Sequence, residues 1–388
     1  MKKIFAIILV IALTFSVNKF LKKKYNIEIF DGKLSRKIST QIDKATDKEI
    51  ETFEKECLKS QKYYYNSLND DEKNIYIAVY SMLIDCDDSR KIKTDADTLN
   101  KIYLCVKYDN PNFYFVEHGF KYVQFDDYIE LYPHYILKKD EVKKYDKIIN
   151  DKIESIVAKA INLPDDYSKE LYFNNYLCEN CKYNMESDDE LVNSIYGVFI
   201  DNSSKCEGFS GAMKMLLDRA DIKNYVVTGE SSGNGHMWNV VTIGNKNYYC
   251  DVTWNLSDND TLCHLYFNVD EKNLSVTHKN ITPSNNNCNS MDMNYFVKNG
   301  TYCRSFISFD AYKNVTAKML KSGKNYVEFL FNTDADFRKA MKCKDNKREF
   351  FDFISDSVSK SGRKLKKDEI STVVIDEKRY IKIIFKEG

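Results

Sequence analysis

Asn202–Ile222 reads NSSKCEGFSGAMKMLLDRADI. Phe209, Ala212, Met213, Leu216, Leu217 and Ala220 recur at helical spacing, so the segment predicts a helix with one buried face and with Cys206 at or just before its N-terminus. Unpaired backbone N–H groups and the helix dipole stabilise negative charge at that end, which favours a thiolate. Gly208, followed by Ser210, Gly211 and Ala212, is expected to leave room for a substrate acyl group beside the thiol.

Thirty residues further on, His236 stands in GHMWNVV, and fifteen after that Asp251 stands in YYCDVTW. NYVVTGE and HMWNVVTIG read as strands, and GNKN before YYCDVTW reads as a hairpin turn. The polar stretch SSGNG before His236 is expected to form one edge of a cleft, and alternation puts Trp238 on the same strand face as His236. An imidazole beside a thiol lowers the thiol's pKa, and a carboxylate orients the imidazole and supports its charge. Taken singly, each residue has a plainer reading: a packing cysteine, a surface histidine, an edge aspartate. Their order and local sequences together point to a thiol nucleophile with its base and orienting acid. His264 and His278 compete for the role of base, and His264, on a strand with no aspartate strand after it, reads as packing.

KCEGFSGAMKMLLDRADI, GHMWNVV and YYCDVTWN resemble the cysteine helix, histidine strand and aspartate strand of the transglutaminase-like superfamily, in its bacterial exported form. YLCENCKYN with SIYGVFIDNSS upstream, and LYFNVDEKNLSVTHKN downstream, extend the resemblance over about residues 165–280. It implies a papain-like α+β core and a Cys206, His236, Asp251 triad working through a thioester. Tyr196 and Trp254 stand where relatives are aromatic, and with Gly208 and Trp238 they form the candidate substrate-binding set. The resemblance leaves three readings open: acyl transfer from a protein or peptide amide to an amine or water, peptide hydrolysis by the same triad, and a non-catalytic cell-envelope binding protein.

Elsewhere the chain narrows the field by charge. The 58 basic residues balance 58 acidic ones, and Lys outnumbers Arg 50 to 8, so a solvated surface is expected and not a nucleic-acid partner. No calcium-loop pattern appears, Cys178 and Cys181 in YLCENCKY lack a second pair at zinc-ligand spacing and read as packing, and neither metal nor cofactor is expected. MKKIFAIILVIALTFSV pairs a short positive start with an apolar run, an export signal either cleaved or kept as an anchor, and the only expected link to a membrane. Eleven cysteines, an odd number, leave at least one thiol unpaired even in an oxidising compartment. The expected organisation is a signal or anchor over 1–24, an N-terminal module of helices and short strands over 25–162, a transglutaminase-like domain over 163–285, and a small α+β module over 290–388.

Overall fold

The computed structural model describes residues 45–57, 61–256 and 262–388, so the apolar N-terminal run lies outside the described residues. Among the described residues no helix is long and apolar enough to cross a membrane. They divide into two compact units, one of residues 45–262 with 269–289 and the other of 263–268 with 290–388.

In the first unit, the Asp70–Asp85 helix starts on a capping box in which Asn69 and Glu72 satisfy each other's backbone N–H groups. Strand β1 (Arg90–Ile92) follows, and then a helix, Ala96–Asp109, where the aromatic and β-branched residues of LNKIYLCVKYD predict a strand. Asp95 decides this locally, because its carboxylate accepts the backbone N–H groups of Asp97 and Thr98. Leu99, Ile102, Tyr103 and Val106 then fall on one buried helical face. Strands β2 (Val116–Gln124) and β3 (Ile129–Tyr135) join β1 in an antiparallel sheet of order β1-β3-β2.

Two helices, Lys139–Ala160 and Asp166–Asn180, meet at the expected break, where Asp165 caps the second by accepting the Ser168 N–H. Cys178 ends up in the second helix and Cys181 just past it in extended backbone. Their thiols face the carbonyls of Val252 and Val198, which is packing. Parallel two-residue strands β4 (Lys182–Tyr183) and β5 (Ser203–Ser204) lead into the Cys206–Arg219 helix. Phe209, Ala212, Met213, Leu216 and Leu217 are all buried, as their spacing requires.

The sheet beside this helix is antiparallel, of order β8-β7-β6-β9, built from β6 (Asn224–Ser231), β7 (Asn234–Ile243), β8 (Lys246–Cys250) and β9 (His278–Thr282). The stretch SSGNG is a tight turn: Ser232 and Gly233 both have positive φ, the geometry that matches strand twist, and Ser231 pairs with Asn234. Gly244, with φ of 62°, opens the next hairpin. Asn239, on the β7 face opposite Trp238, donates through Nδ2 to the Ser210 carbonyl at 3.0 Å and fixes helix to strand.

Residues 61–65 lash the Ala96–Asp109 helix to this sheet. Tyr63 stacks on Tyr225 with ring centroids 3.7 Å apart, the Tyr64 hydroxyl donates to the Val226 carbonyl at 2.8 Å, and Lys62 donates to Asn110 Oδ1 at 2.6 Å. The buried Asp109 carboxylate accepts the Tyr64 and Tyr65 backbone N–H groups and the Tyr76 hydroxyl.

The second unit has a sheet of order β10-β11-β13-β12, from β10 (Tyr302–Cys303), β11 (Tyr326–Phe331), β12 (Leu365–Ile375) and β13 (Tyr380–Glu387). Helices Lys313–Lys321 and Lys347–Ser361 cover a core of Phe306, Phe309, Phe329 and Phe353. His264 belongs here, stacked on Tyr295 and bonded through Nδ1 to the buried Glu328. Burial, against the pull of Glu328, holds its pKa below the ordinary histidine value. The chain is α+β throughout.

Asp109→Ala strands two backbone N–H groups and a hydroxyl in the interior. It is expected to cost about 3 kcal/mol or more of stability, read as a lower urea midpoint, whereas Asp109→Asn, which keeps one acceptor oxygen, loses less.

Candidate active site

Cys206 opens its helix, and the preceding residue, Lys205, puts no side-chain cap on the first turn. The thiol is partly exposed. Glu207, next in sequence, turns to His118 on β2, whose Nε2 lies 2.7 Å from Glu207 Oε1. Gly208 is required by packing, because a Cβ there would stand 2.0 Å from Ser204 Oγ and 2.4 Å from the Ser194 carbonyl oxygen.

His236, on β7, is buried and stands beside the Cys206 side chain. Its Nε2 lies 2.7 Å from Asp251 Oδ2, which leaves Nδ1 as the ring nitrogen for the thiol. Asp251 follows the end of β8 and is 1% exposed, and its Oδ1 accepts the Trp254 backbone N–H at 3.1 Å. Sequence order thus converges on one place in space, since β8 pairs with β7 (Asn239 opposite Cys250) and the helix packs across β7.

Burial alone would lower the His236 pKa, but the Asp251 charge and hydrogen bond, with the Cys206 contact, outweigh it and raise it to about 10. Burial likewise works against the Asp251 charge, and His236 together with bonds from His236 and His278 holds its carboxyl well below the usual range. His236 is therefore an imidazolium at neutral pH, the partner a thiolate needs. The other partly exposed thiols offer no rival, because burial pushes Cys57 up to about 12 and raises Cys86 and Cys343.

Of the candidate substrate residues, Trp238 is buried and stacks on His236, with centroids 5.7 Å apart and planes 22° apart. Gly229, opposite His236 in the β6–β7 register, makes room for this ring, since a Cβ there would stand 2.7 Å from Trp238. Trp238 is thus a wall behind the base and not a substrate contact. Trp254, half-buried, lies edge-on to His236 at 6.5 Å. Tyr196 packs its ring against Tyr145 and Tyr114, not among the rings around His236.

Two further residues belong to the site, Tyr183, unread in the sequence, and His278, read there only as a rival for the base. Tyr183, on β4, stands beside Cys206, and its ring lies parallel to Phe209. His278, on β9, puts Nε2 3.0 Å from the same Asp251 oxygen that His236 bonds. The tyrosine carries no motif, and the histidine is 42 residues from His236 and on the far side of β6, so neither has a local signal. His236, Asp251 and His278 bring their ligating atoms within 4.8 Å of one another. Their 2.7 and 3.0 Å separations are hydrogen-bond lengths between ring N–H groups and a carboxylate.

Residues 156–253 match the family model of the transglutaminase-like superfamily. This region of the chain is transglutaminase-like. The superfamily includes cysteine acyltransferases and peptidases. Among solved structures, the chain is similar to a TGase at 16% identity and a TM-score of 0.28, covering 46% of this chain and 54% of that one. It is also similar to the periplasmic domain of TgpA from Pseudomonas aeruginosa at 13% identity and a TM-score of 0.23, covering 33% of this chain and 55% of that one. The chain thus spans little more than half the length of either. No curated protein matches it.

The raised pKa of His236 has a thermodynamic sign. Its protonation stabilises the fold fully below about pH 6.5, and this contribution is lost as pH rises through about 10. The stability difference between the unsubstituted protein and His236→Gln should therefore shrink from pH 6.5 to 10 in urea titrations. Asp251, with its lowered pKa, adds stability above its ordinary value of 3.8 that is lost as pH falls below it.

Proposed function

We propose that the chain is an exported thiol enzyme that takes an acyl group from a protein or peptide amide onto Cys206 and passes it to an amine or to water. The observation that carries this reading is a partly exposed cysteine at a helix start, in contact with a histidine whose far nitrogen is bound to a buried aspartate. The Cys206 thiolate attacks the amide carbonyl carbon, and the carbonyl oxygen, now negative, is held by backbone N–H groups at the helix start. His236 gives its proton to the departing nitrogen, the C–N bond breaks, and a thioester with neutral His236 remains. An incoming amine or water attacks that thioester, His236 takes the proton, and the thiolate returns.

Glutamine side chains releasing ammonia are the acyl donors that fit this sequence of steps most simply. The apolar start of the chain supports export, and it is the reason to look for substrates among cell-envelope proteins and peptides.

The test is alkylation of Cys206 by iodoacetamide against pH, followed by peptide mapping, alongside ammonia release and incorporation of a fluorescent primary amine with casein or glutamine peptides. Cys206 should label rapidly below pH 7 and Cys206→Ala should abolish both activities without lowering the melting temperature by more than about 2 °C. Slow labelling spread over many cysteines would sink the reading. His236→Ala should move the labelling inflection of Cys206 upward, to that of an ordinary thiol near 8.5.

A further inference from the structure

Asp251 is shared. Its Oδ2 faces His236 Nε2 at 2.7 Å and His278 Nε2 at 3.0 Å, while Oδ1 takes the Trp254 backbone N–H. A ring nitrogen can face a carboxylate oxygen at this distance only with a hydrogen between them, so His278 carries hydrogen on Nε2 whichever way its other contact is arranged. That other contact is Nδ1 with Thr277 Oγ1 at 2.9 Å. The ring is fully buried, edge-on to Trp238 at 4.8 Å and tilted against Trp254 at 5.3 Å. Strand β9 delivers it there, with Ser231 opposite His278 and a register shift between Thr228 and Glu230.

Resting on the acyl-transfer reading above, we propose that His278 is a positioning residue for the Cys206 site. Its Nε2–H pins the carboxylate oxygen that orients His236, so that His236 presents its other nitrogen to the thiol.

The carboxylate could otherwise rotate about its Cβ–Cγ bond and offer His236 either oxygen or neither. With Oδ1 tied to the Trp254 N–H and Oδ2 to His278, only one orientation satisfies both donors, and it is the one in which Oδ2 also meets His236. His278 further shares the cost of keeping a negative charge in a buried site, so that Asp251 need not draw a proton from His236 to be stable. The titratable groups around the array are His236, Cys206, His278, the Tyr183 hydroxyl from β4 and the buried Cys250 thiol beside Asp251. Tyr183 and Cys250 have pKa values pushed upward, chiefly by burial, so neither ionises between pH 5 and 8.

Two substitutions in the full-length protein separate a donor from a packing role. His278→Gln keeps an N–H at about the place of Nε2 but loses the aromatic ring between the tryptophans. His278→Phe keeps the ring and loses the donor. Positioning predicts that iodoacetamide labelling of Cys206 at pH 6 falls roughly ten- to hundredfold in His278→Phe, the range expected for losing a hydrogen bond to a charged group. His278→Gln should stay within about threefold of the unsubstituted protein. The reverse order, or no change in His278→Phe at an unaltered melting temperature, overturns the proposal while leaving the acyl-transfer reading intact. An unsubstituted protein whose Cys206 labels as an ordinary thiol overturns both.

Should either variant not fold, the unsubstituted protein decides by nitrogen NMR of labelled imidazoles. His278 Nε2 must be protonated from pH 5 to 8, and a ring protonated on Nδ1 alone overturns the proposal.

Discussion

A buried carboxylate governs this site. Asp251 is almost wholly excluded from water, and an ion there is tolerable only if donors close on it from several directions. The donors come from β7, from β9 and from the turn after β8, three pieces of chain with no local reason to meet. Satisfying one charge therefore fixes the order of the sheet, the side chains facing into it and the place of the imidazole. The thiol then needs only a helix start laid across the same sheet.

That helix is held as tightly as the charge. Asn239 reaches from the opposite face of the histidine strand to the Ser210 carbonyl, and Gly208 lets Ser194 and Ser204 approach the first turn. Glycine matters here for close packing, which composition alone does not reveal. The N-terminal helices take part as well: Tyr63 and Tyr64 lie against β6, and Asp109 gathers their backbone N–H groups. The sheet that carries the site is thus braced by a residue 162 positions earlier in the chain than the strand carbonyl it meets.

Electrostatics and packing pull in the same direction around His236. Trp238 and Trp254 keep water from the imidazole–carboxylate bond, which strengthens it, and the strengthened bond keeps the imidazole charged against the cost of burial. The price is strict geometry, since a small displacement of any strand breaks a bond that solvent cannot replace.

Much of the site could be read from local patterns. Helical spacing from Phe209 to Ala220 and the turn at Gly244 involve residues within a few positions of one another, where backbone geometry and apolar periodicity act directly. Capping chemistry was as local but easily overlooked, and Asp95 turned an aromatic, strand-like run into the Ala96–Asp109 helix. The tight turn at Ser232–Gly233 was not read as a hairpin for a similar reason, because positive φ at a serine has a weak signature. By itself the sequence determined the order of thiol, imidazole and carboxylate and the elements that carry them. Tertiary structure alone decided that His278 and Tyr183 join them, that Trp238 is a wall, and that Gly208 is required by packing, because those facts depend on which side chains meet across strands far apart in the chain.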